Sequence, residues 1–290
     1  MIKLIASDMD GTVLNDKHKI SEENVEAIKK AEETGIIFAI STGREYDTVS
    51  PILKENNIKC QCVLMNGAEY RDEDGNILET INIENSIARK IIDIMEEEKL
   101  TARIFTNKGV YTVESKEEAL KEMAYRAHSF NPELTMEEAI EEAKKQPYFI
   151  QLKYIDDIDE FFNNGIEVRK FVAFHKDIEA INRMKETLAQ IEGLAVSSSF
   201  VDNIEITDVK AQKGIILAKV AEKMGLNNDE VLILGDSFND YSMFTVFTES
   251  VAMGNAIPEI KEIAKYITDT NVNHGVAKAI YKVLEDQKQL

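Results

Sequence analysis

The opening third of the chain alternates short apolar runs with helical segments, and that alternation restricts it to a narrow set of folds. "KLIAS" is a short apolar strand. "SEENVEAIKKAEETG" follows with a Ser21 cap, helical spacing of Val25, Ile28 and Ala31, and Gly35 at its end. The strand "IIFAI", the helix "REYDTVSPILKENN" and the strand "CVLMN" complete a βαβαβ pattern. Such a pattern implies parallel strands joined by right-handed crossovers. Ligands of such sheets gather at the carboxyl ends of the strands, and Asp8, Thr42 and Asn66 all lie at those ends.

Beyond residue 70 the texture changes. "EYRDEDGNILETI" reads as a hairpin turned at Asp74-Gly75. Acidic helices at about 85 to 99, 115 to 129 and 135 to 144 are then interleaved with the strand-like runs "ARIFT", "VYTV", "YFIQLKYI" and "VRKFVAF". From "NIEIT" onward the βα pattern returns, with the helix "QKGIILAKVAEKMG", the strand "EVLILGD", the run "ESVAMGNA", the helix "PEIKEIAKYI" and a last helix from Val276. The expected architecture is α/β: a doubly wound parallel-sheet core of residues 1–82 and 201–290, Rossmann-like, interrupted by an α+β insertion at 83–200.

Charge narrows the partners. The 290 residues carry 34 basic and 53 acidic side chains, a net charge of -19, which repels nucleic-acid backbones and anionic membrane surfaces. A phosphorylated small molecule remains compatible if a metal ion or a buried lysine supplies local positive charge. Cys60 and Cys62, the only cysteines, share a strand face where a mutual disulfide would be strained, and they read as reduced structural thiols of a cytoplasmic protein. "MIKLIA" is too short for a signal-peptide apolar region, and no run approaches membrane-spanning length.

The strand ends carry the chemistry. In "LIASDMDGTVL" the carboxylates of Asp8 and Asp10 follow an apolar strand, and Gly11 frees the turn. A lone Asp-Gly reads as a turn, but D-x-D-G-T fixes four residues. At about 5 % usage each, a chain of this length contains it by chance on the order of once in several hundred sequences. "LILGDSFND" ends a second apolar strand with Asp236, then Asn239 and Asp240. Hard oxygen ligands from separate strand ends suit Mg²⁺, while a capped helix start accounts for the same residues equally well. "AISTGR" offers hydroxyls and backbone N–H groups to a phosphate or simply caps a helix. Lys213 in "VKAQKGIIL" is a surface charge unless several carboxylates need compensation.

These four pieces, in this order and each at a strand end, resemble the haloacid dehalogenase superfamily of aspartate-dependent phosphotransferases. "DMDGT" is similar to its first motif, "STGR" to its second, Lys213 to its third and "GDSFND" to its fourth, while "NGA" at 66–68 and "VAMGNA" at 251–256 resemble the Cof-type branch with a C2B cap. The resemblance implies that Asp8 is the nucleophile, that Asp10 shuttles the proton, and that Asp8, the Asp10 carbonyl and Asp236 hold Mg²⁺ with Asp240 in support. It implies a phosphate cradle of Thr42, Gly43, Lys213 and Asn239, with Ser41 as an alternative to Thr42. Arg44 is expected to pair structurally with a helix acid or to reach substrate.

The implied activity is Mg²⁺-dependent hydrolysis of small phosphorylated metabolites such as sugar phosphates or phosphorylated cofactors. A phosphotransferase or mutase of the phosphomannomutase type is the alternative among enzymes, and a non-catalytic phospholigand sensor the alternative outside them. Retention of Asp10 argues against the sensor, because binding needs no proton shuttle. His18, His128, His175 and His274 lie outside all the motifs, and no nucleotide-kinase, dinucleotide or serine-hydrolase signature is present. The substrate contacts of the cap and the oligomeric state are not written in any shared motif.

Overall fold

The computed structural model describes residues 1–131 and 133–288. The three apolar runs of the opening third become β1 (Leu4–Ser7), β2 (Ile37–Ser41) and β3 (Gln61–Leu64), paired in parallel. A hairpin of β4 (Glu69–Arg71) and β5 (Ile77–Thr80) adds on antiparallel to β3. Six further strands follow: β6 (Ala102–Thr106), β7 (Gly109–Thr112), β8 (Lys153–Tyr154), β9 (Val168–Phe174), β10 (Leu194–Ser197) and β11 (Asn203–Asp208). The last are β12 (Val231–Gly235), β13 (Glu249–Ala252) and β14 (Tyr266–Ile267).

One sheet has the order β14-β13-β12-β1-β2-β3-β4-β5, parallel at every pairing from β14 to β3. Its order reverses at β1, the doubly wound arrangement anticipated from the sequence. The central strands read as continuous apolar runs because helices cover both faces of a parallel sheet. Leu4, Ile5, Ala6, Ile40 and Val231 through Leu234 are buried accordingly. The helix Glu22–Glu33 starts where the Ser21 hydroxyl accepts the Asn24 N–H, and it buries Ala27, Ile28 and Ala31. Register places Ser7 opposite both Ile40 and Leu234. The residues that follow these three strands therefore emerge along one edge.

The chain divides into two compact units: Met1–Ile81 with Glu192–Val201 and Thr207–Leu290, and Asn82–Ile191 with Asp202–Ile206. A second sheet, ordered β10-β11-β9-β6-β7-β8, is largely antiparallel. One of its faces is apolar, with Ile104, Phe171, Ala173, Ile204 and Ile206 buried, and the other carries the buried Lys170–Glu205 ion pair at 3.0 Å.

Three segments differ from the sequence reading. "NIEIT" belongs to the second sheet, where β11 pairs antiparallel with β9; its alternation suits a sheet with two unlike faces. "YFIQLKYI" is no single strand: Pro147 starts the short helix Pro147–Gln151, which buries Phe149, and only Lys153–Tyr154 extends. "PEIKEIAKYI" stops as a helix at Ile263, because Ala264 turns to extended backbone and Tyr266–Ile267 pair with Val251 and Ala252. Cys60 and Cys62 are buried free thiols.

Candidate active site

Lys213 opens the helix Lys213–Lys223 and is wholly buried. Its Nζ donates to Asp8 Oδ1 and to Asp240 Oδ1, each at 2.6 Å. A buried ammonium is tolerable only with such partners. Burial opposes its charge, but Asp240 and Asp8 outweigh that cost and raise its pKa. Asp8 follows β1, anchored by its N–H to the Leu234 carbonyl. Lys213 takes Oδ1, and the other carboxylate oxygen receives no hydrogen bond from the described residues. Burial first, then Asp240, Asp236 and Asp10, push the Asp8 carboxyl well above its ordinary range against the pull of Lys213.

Asp236 follows β12. Its Oδ1 accepts from Thr12 Oγ1 and its Oδ2 from Ser237 Oγ, both at 2.9 Å. Burial and Asp240 raise its pKa to about 7. Gly11 has φ 76° and runs so close that a Cβ there would lie 2.5 Å from Asp236 Oδ2. The glycine of D-x-D-G-T thus lets the first turn close on the carboxylate of the fourth motif, and its threonine orients that carboxylate. Asp240 stands behind them: Oδ1 meets Lys213, and Oδ2 accepts the N–H groups of Asp236 and Ser237 at 2.9 and 3.1 Å. Among the described residues, Asp8, Asp236 and Asp240 form a group whose oxygens lie within 4.8 Å of one another.

Asp10 faces elsewhere. Arg44 Nε and Nη2 donate to its two oxygens, each at 2.6 Å, in a bidentate fork. Burial opposes the guanidinium charge, yet the Asp10 hydrogen bonds and charge raise the Arg44 pKa. The partner of Arg44 is therefore Asp10 itself, where a helix acid was expected. His18, outside every motif, comes within 3.8 Å of Asp10 Oδ1. It sits at φ 54° in a turn where its N–H meets the Asn15 carbonyl, a loop conformation that no local pattern announces.

The residues that the resemblance assigns to a phosphate gather on the same edge. Thr42 is buried; its hydroxyl oxygen accepts the Arg44 N–H at 3.2 Å, and its own N–H goes to the Val63 carbonyl. Ser41 is also buried, and among the described residues its Oγ has no hydrogen-bond partner, so both hydroxyls stay candidates. Gly43 lies between Thr42 and Arg44 in the bend that follows β2. Asn239 donates from Nδ2 to Asn66 Oδ1 at 3.4 Å. Asn66 enters the sequence reading as a strand-end residue and within the "NGA" run that resembles the Cof-type branch, with no role of its own; the structure adds that this Asn-Gly stands where the backbone turns left-handed.

The model of the haloacid dehalogenase-like hydrolases matches residues 5–280. The chain belongs to this family. Phosphatase YwpJ of Bacillus subtilis (strain 168) is 33% identical over 285 residues, covering 98% of this chain and all of YwpJ. The 5-amino-6-(5-phospho-D-ribitylamino)uracil phosphatase YwtE of the same organism is 31% identical over 286 residues, 99% of each chain. A solved haloacid dehalogenase-like hydrolase from B. subtilis superposes with a TM-score of 0.83 at 33% identity, covering 97% of this chain and 99% of that one. This haloacid dehalogenase-like hydrolase is thus an enzyme of the phosphoric monoester hydrolase class, with the α/β core and inserted α+β unit anticipated from the sequence. Among the described residues no helix is long and apolar enough to cross a membrane.

Proposed function

We propose that the enzyme is a cytosolic, Mg²⁺-dependent phosphatase of small phosphorylated metabolites that works through an aspartyl phosphate at Asp8. The observation that carries this reading is the cluster of Asp8, Asp236 and Asp240 around one buried lysine. A carboxylate with one oxygen held by an ammonium and the other unbonded is suited to in-line attack. The names of two relatives, a phosphatase and a phosphatase of a phosphorylated ribitylaminouracil, support a phosphorylated small molecule as substrate.

The donor set fits Mg²⁺. Crowded, buried carboxylates whose pKa values rise without a cation are a hard-oxygen site short of positive charge. Asp8, Asp236 and the Asp10 carbonyl would hold the ion, with Asp240 orienting the loop from behind through its bonds to the Asp236 and Ser237 amides. When bound, the ion offsets the charge between the attacking carboxylate and the phosphoryl oxygens.

In the first step the unbonded oxygen of Asp8 attacks phosphorus, the ester P–O bond breaks, and Asp10 gives a proton to the departing alkoxide. In the second, water attacks the aspartyl phosphate, Asp10 accepts its proton, and the Asp8–P bond breaks to release phosphate. Lys213 stays paired with Asp8 and holds its geometry. Thr42, Gly43 and Asn239 receive the phosphoryl oxygens. Arg44 occupies both Asp10 oxygens, so at least one bond of that fork must open whenever Asp10 carries the proton.

The test is phosphate release from a panel of phosphorylated metabolites with Mg²⁺ and with chelator, combined with trapping of a hydroxylamine-labile phosphoenzyme. Metal-dependent release with labelling of Asp8 is the expected result. Release undiminished in chelator, or transfer to a second hydroxyl in preference to water, rejects the reading.

A further inference from the structure

Three consecutive residues after β3 have positive φ: Met65 at 50°, Asn66 at 59° and Gly67 at 103°. For residues with a Cβ this conformation is unfavourable, so the fold must hold it from outside. The restraints are on view. The Met65 N–H donates to the Arg44 carbonyl and the Asn66 N–H to the Thr42 carbonyl, both at 3.0 Å. Gly67 packs so tightly on the backbone of Gln212 that a Cβ would lie 2.9 Å from its carbonyl carbon and oxygen. All three residues are buried. The turn is therefore fastened to the loop holding Thr42 and Arg44 and to the residue immediately before Lys213.

Its side-chain contact reaches the remaining loop. Asn66 Oδ1 accepts the Nδ2 hydrogen of Asn239 at 3.4 Å. A carboxamide nitrogen carries two hydrogens, and engaging one fixes the plane of the amide and the direction of the other. At 3.4 Å the bond is at the long end of the range. Strain that persists only where surroundings over-determine it points to function, and here the surroundings are the loops of the phosphate cradle.

We propose that Asn66 is a positioning residue: it orients the Asn239 amide toward the phosphate, and the left-handed turn at 65–67 exists to hold it there. The inference rests on the phosphatase reading, because it takes Asn239 as a phosphate ligand. On this reading a change at Asn66 acts on phosphate through Asn239, and the two residues form one unit.

The experiment is a double-mutant cycle on the full chain, reading calorimetric affinity for inorganic phosphate in Mg²⁺ alongside kcat and KM for an aryl phosphate. Asn66→Gly keeps the left-handed backbone and removes the amide, so melting should be unchanged. Phosphate affinity is expected to fall about 3- to 10-fold, in line with the loss of one hydrogen bond. Asn239→Ala is expected to fall at least as far, and the double variant no further than Asn239→Ala. Unchanged affinity in Asn66→Gly would leave only a backbone role, and multiplicative losses would mean independent contacts; either overturns the proposal. If Asn66→Gly does not fold, the cycle is run with Asn66→Ser, whose shorter side chain cannot hold the Asn239 amide at its present distance; an affinity equal to the parent's, or a loss that multiplies with that of Asn239→Ala, overturns the proposal there too. A parent that binds phosphate but hydrolyses nothing rejects the phosphatase reading and leaves the coupling measurable. A parent that does neither rejects both.

Discussion

Asp8 and Asp10 stand two residues apart with different partners: Asp8 shares an ammonium with Asp240, and Asp10 is gripped by a guanidinium. Their variants should differ accordingly. If Asp8 is the nucleophile and Asp10 the proton shuttle, as proposed, Asp8→Asn is expected to form no phosphoenzyme and to lose turnover for every leaving group. Asp10→Asn leaves the nucleophile and its backbone carbonyl, and removal of a general acid-base group costs roughly 10²- to 10⁴-fold. The first-step deficit shrinks for an aryl phosphate, whose leaving group needs little protonation, so a burst of phosphoenzyme followed by slow hydrolysis is expected. Parent rates on alkyl phosphates in Asp10→Asn would remove Asp10 from the proton path. Arg44→Met frees Asp10 from its orienting fork and is expected to lower kcat/KM on alkyl phosphates by roughly tenfold, the scale of a modest misplacement, with less effect on aryl phosphates. Equal loss on both would put Arg44 on the phosphate instead. The grouping of Asp8, Asp236 and Asp240 was legible because each follows an apolar run whose parallel pairing fixes where it emerges, whereas Lys213 opens a helix after a strand of the second sheet and was singled out only by the family resemblance. The Arg44–Asp10 fork, the approach of His18 and the Asn66–Asn239 contact were not legible, since they depend on loop conformations that local residue patterns leave open.

At the scale of elements, backbone sign matters more than propensity. Gly11 meets Asp236 at van der Waals limits with φ 76°, so Gly11→Ala must displace either the first turn or the carboxylate. Activity is expected to fall by orders of magnitude while circular dichroism stays that of the parent, and near-parent turnover would show that the close approach is dispensable. The opposite case lies in the inserted unit. Lys99 follows the helix Asn85–Glu97 with φ 56° and is exposed, its N–H on the Glu96 carbonyl and the next N–H on that of Met95. That is a C-terminal cap where glycine is favoured, so Lys99→Gly is expected to stabilise by about 1 kcal/mol, read as a higher urea midpoint with kinetics unchanged. A lower midpoint would contradict it. The sequence revealed the long helices of this unit because their apolar spacing spans several turns. It misassigned 148–155 because one helical turn and a two-residue strand are too short to show a period. The helix Ile178–Ala189, whose buried Ile181, Met184 and Leu188 do keep that period, was legible in principle and absent from the reading.

At the scale of the whole molecule, a protein of net charge -19 concentrates buried carboxylates where it must receive an anion. Among the described residues, Lys213 supplies the only ammonium bonded to this group of Asp8, Asp236 and Asp240, and the unpaired excess of negative charge costs stability that a bound cation would recover. A cation that binds the folded chain and not the unfolded one stabilises by about 2.7 kcal/mol at a hundred times its dissociation constant. Melting should therefore rise with added Mg²⁺ and fall with chelator, independently of any substrate. Asp236→Asn separates repulsion from ligation. The amide keeps an oxygen for the Thr12 hydroxyl, and the Ser237 hydroxyl can turn to accept from the new amine, so the hydrogen bonds survive while a buried charge disappears. In chelator this variant is expected to melt above the parent, to show little further rise with Mg²⁺, and to lose metal-dependent phosphate release. A variant that melts below the parent in chelator would mean that Asp236 contributes structure beyond its charge. One that keeps the full Mg²⁺ response would take Asp236 out of the metal site.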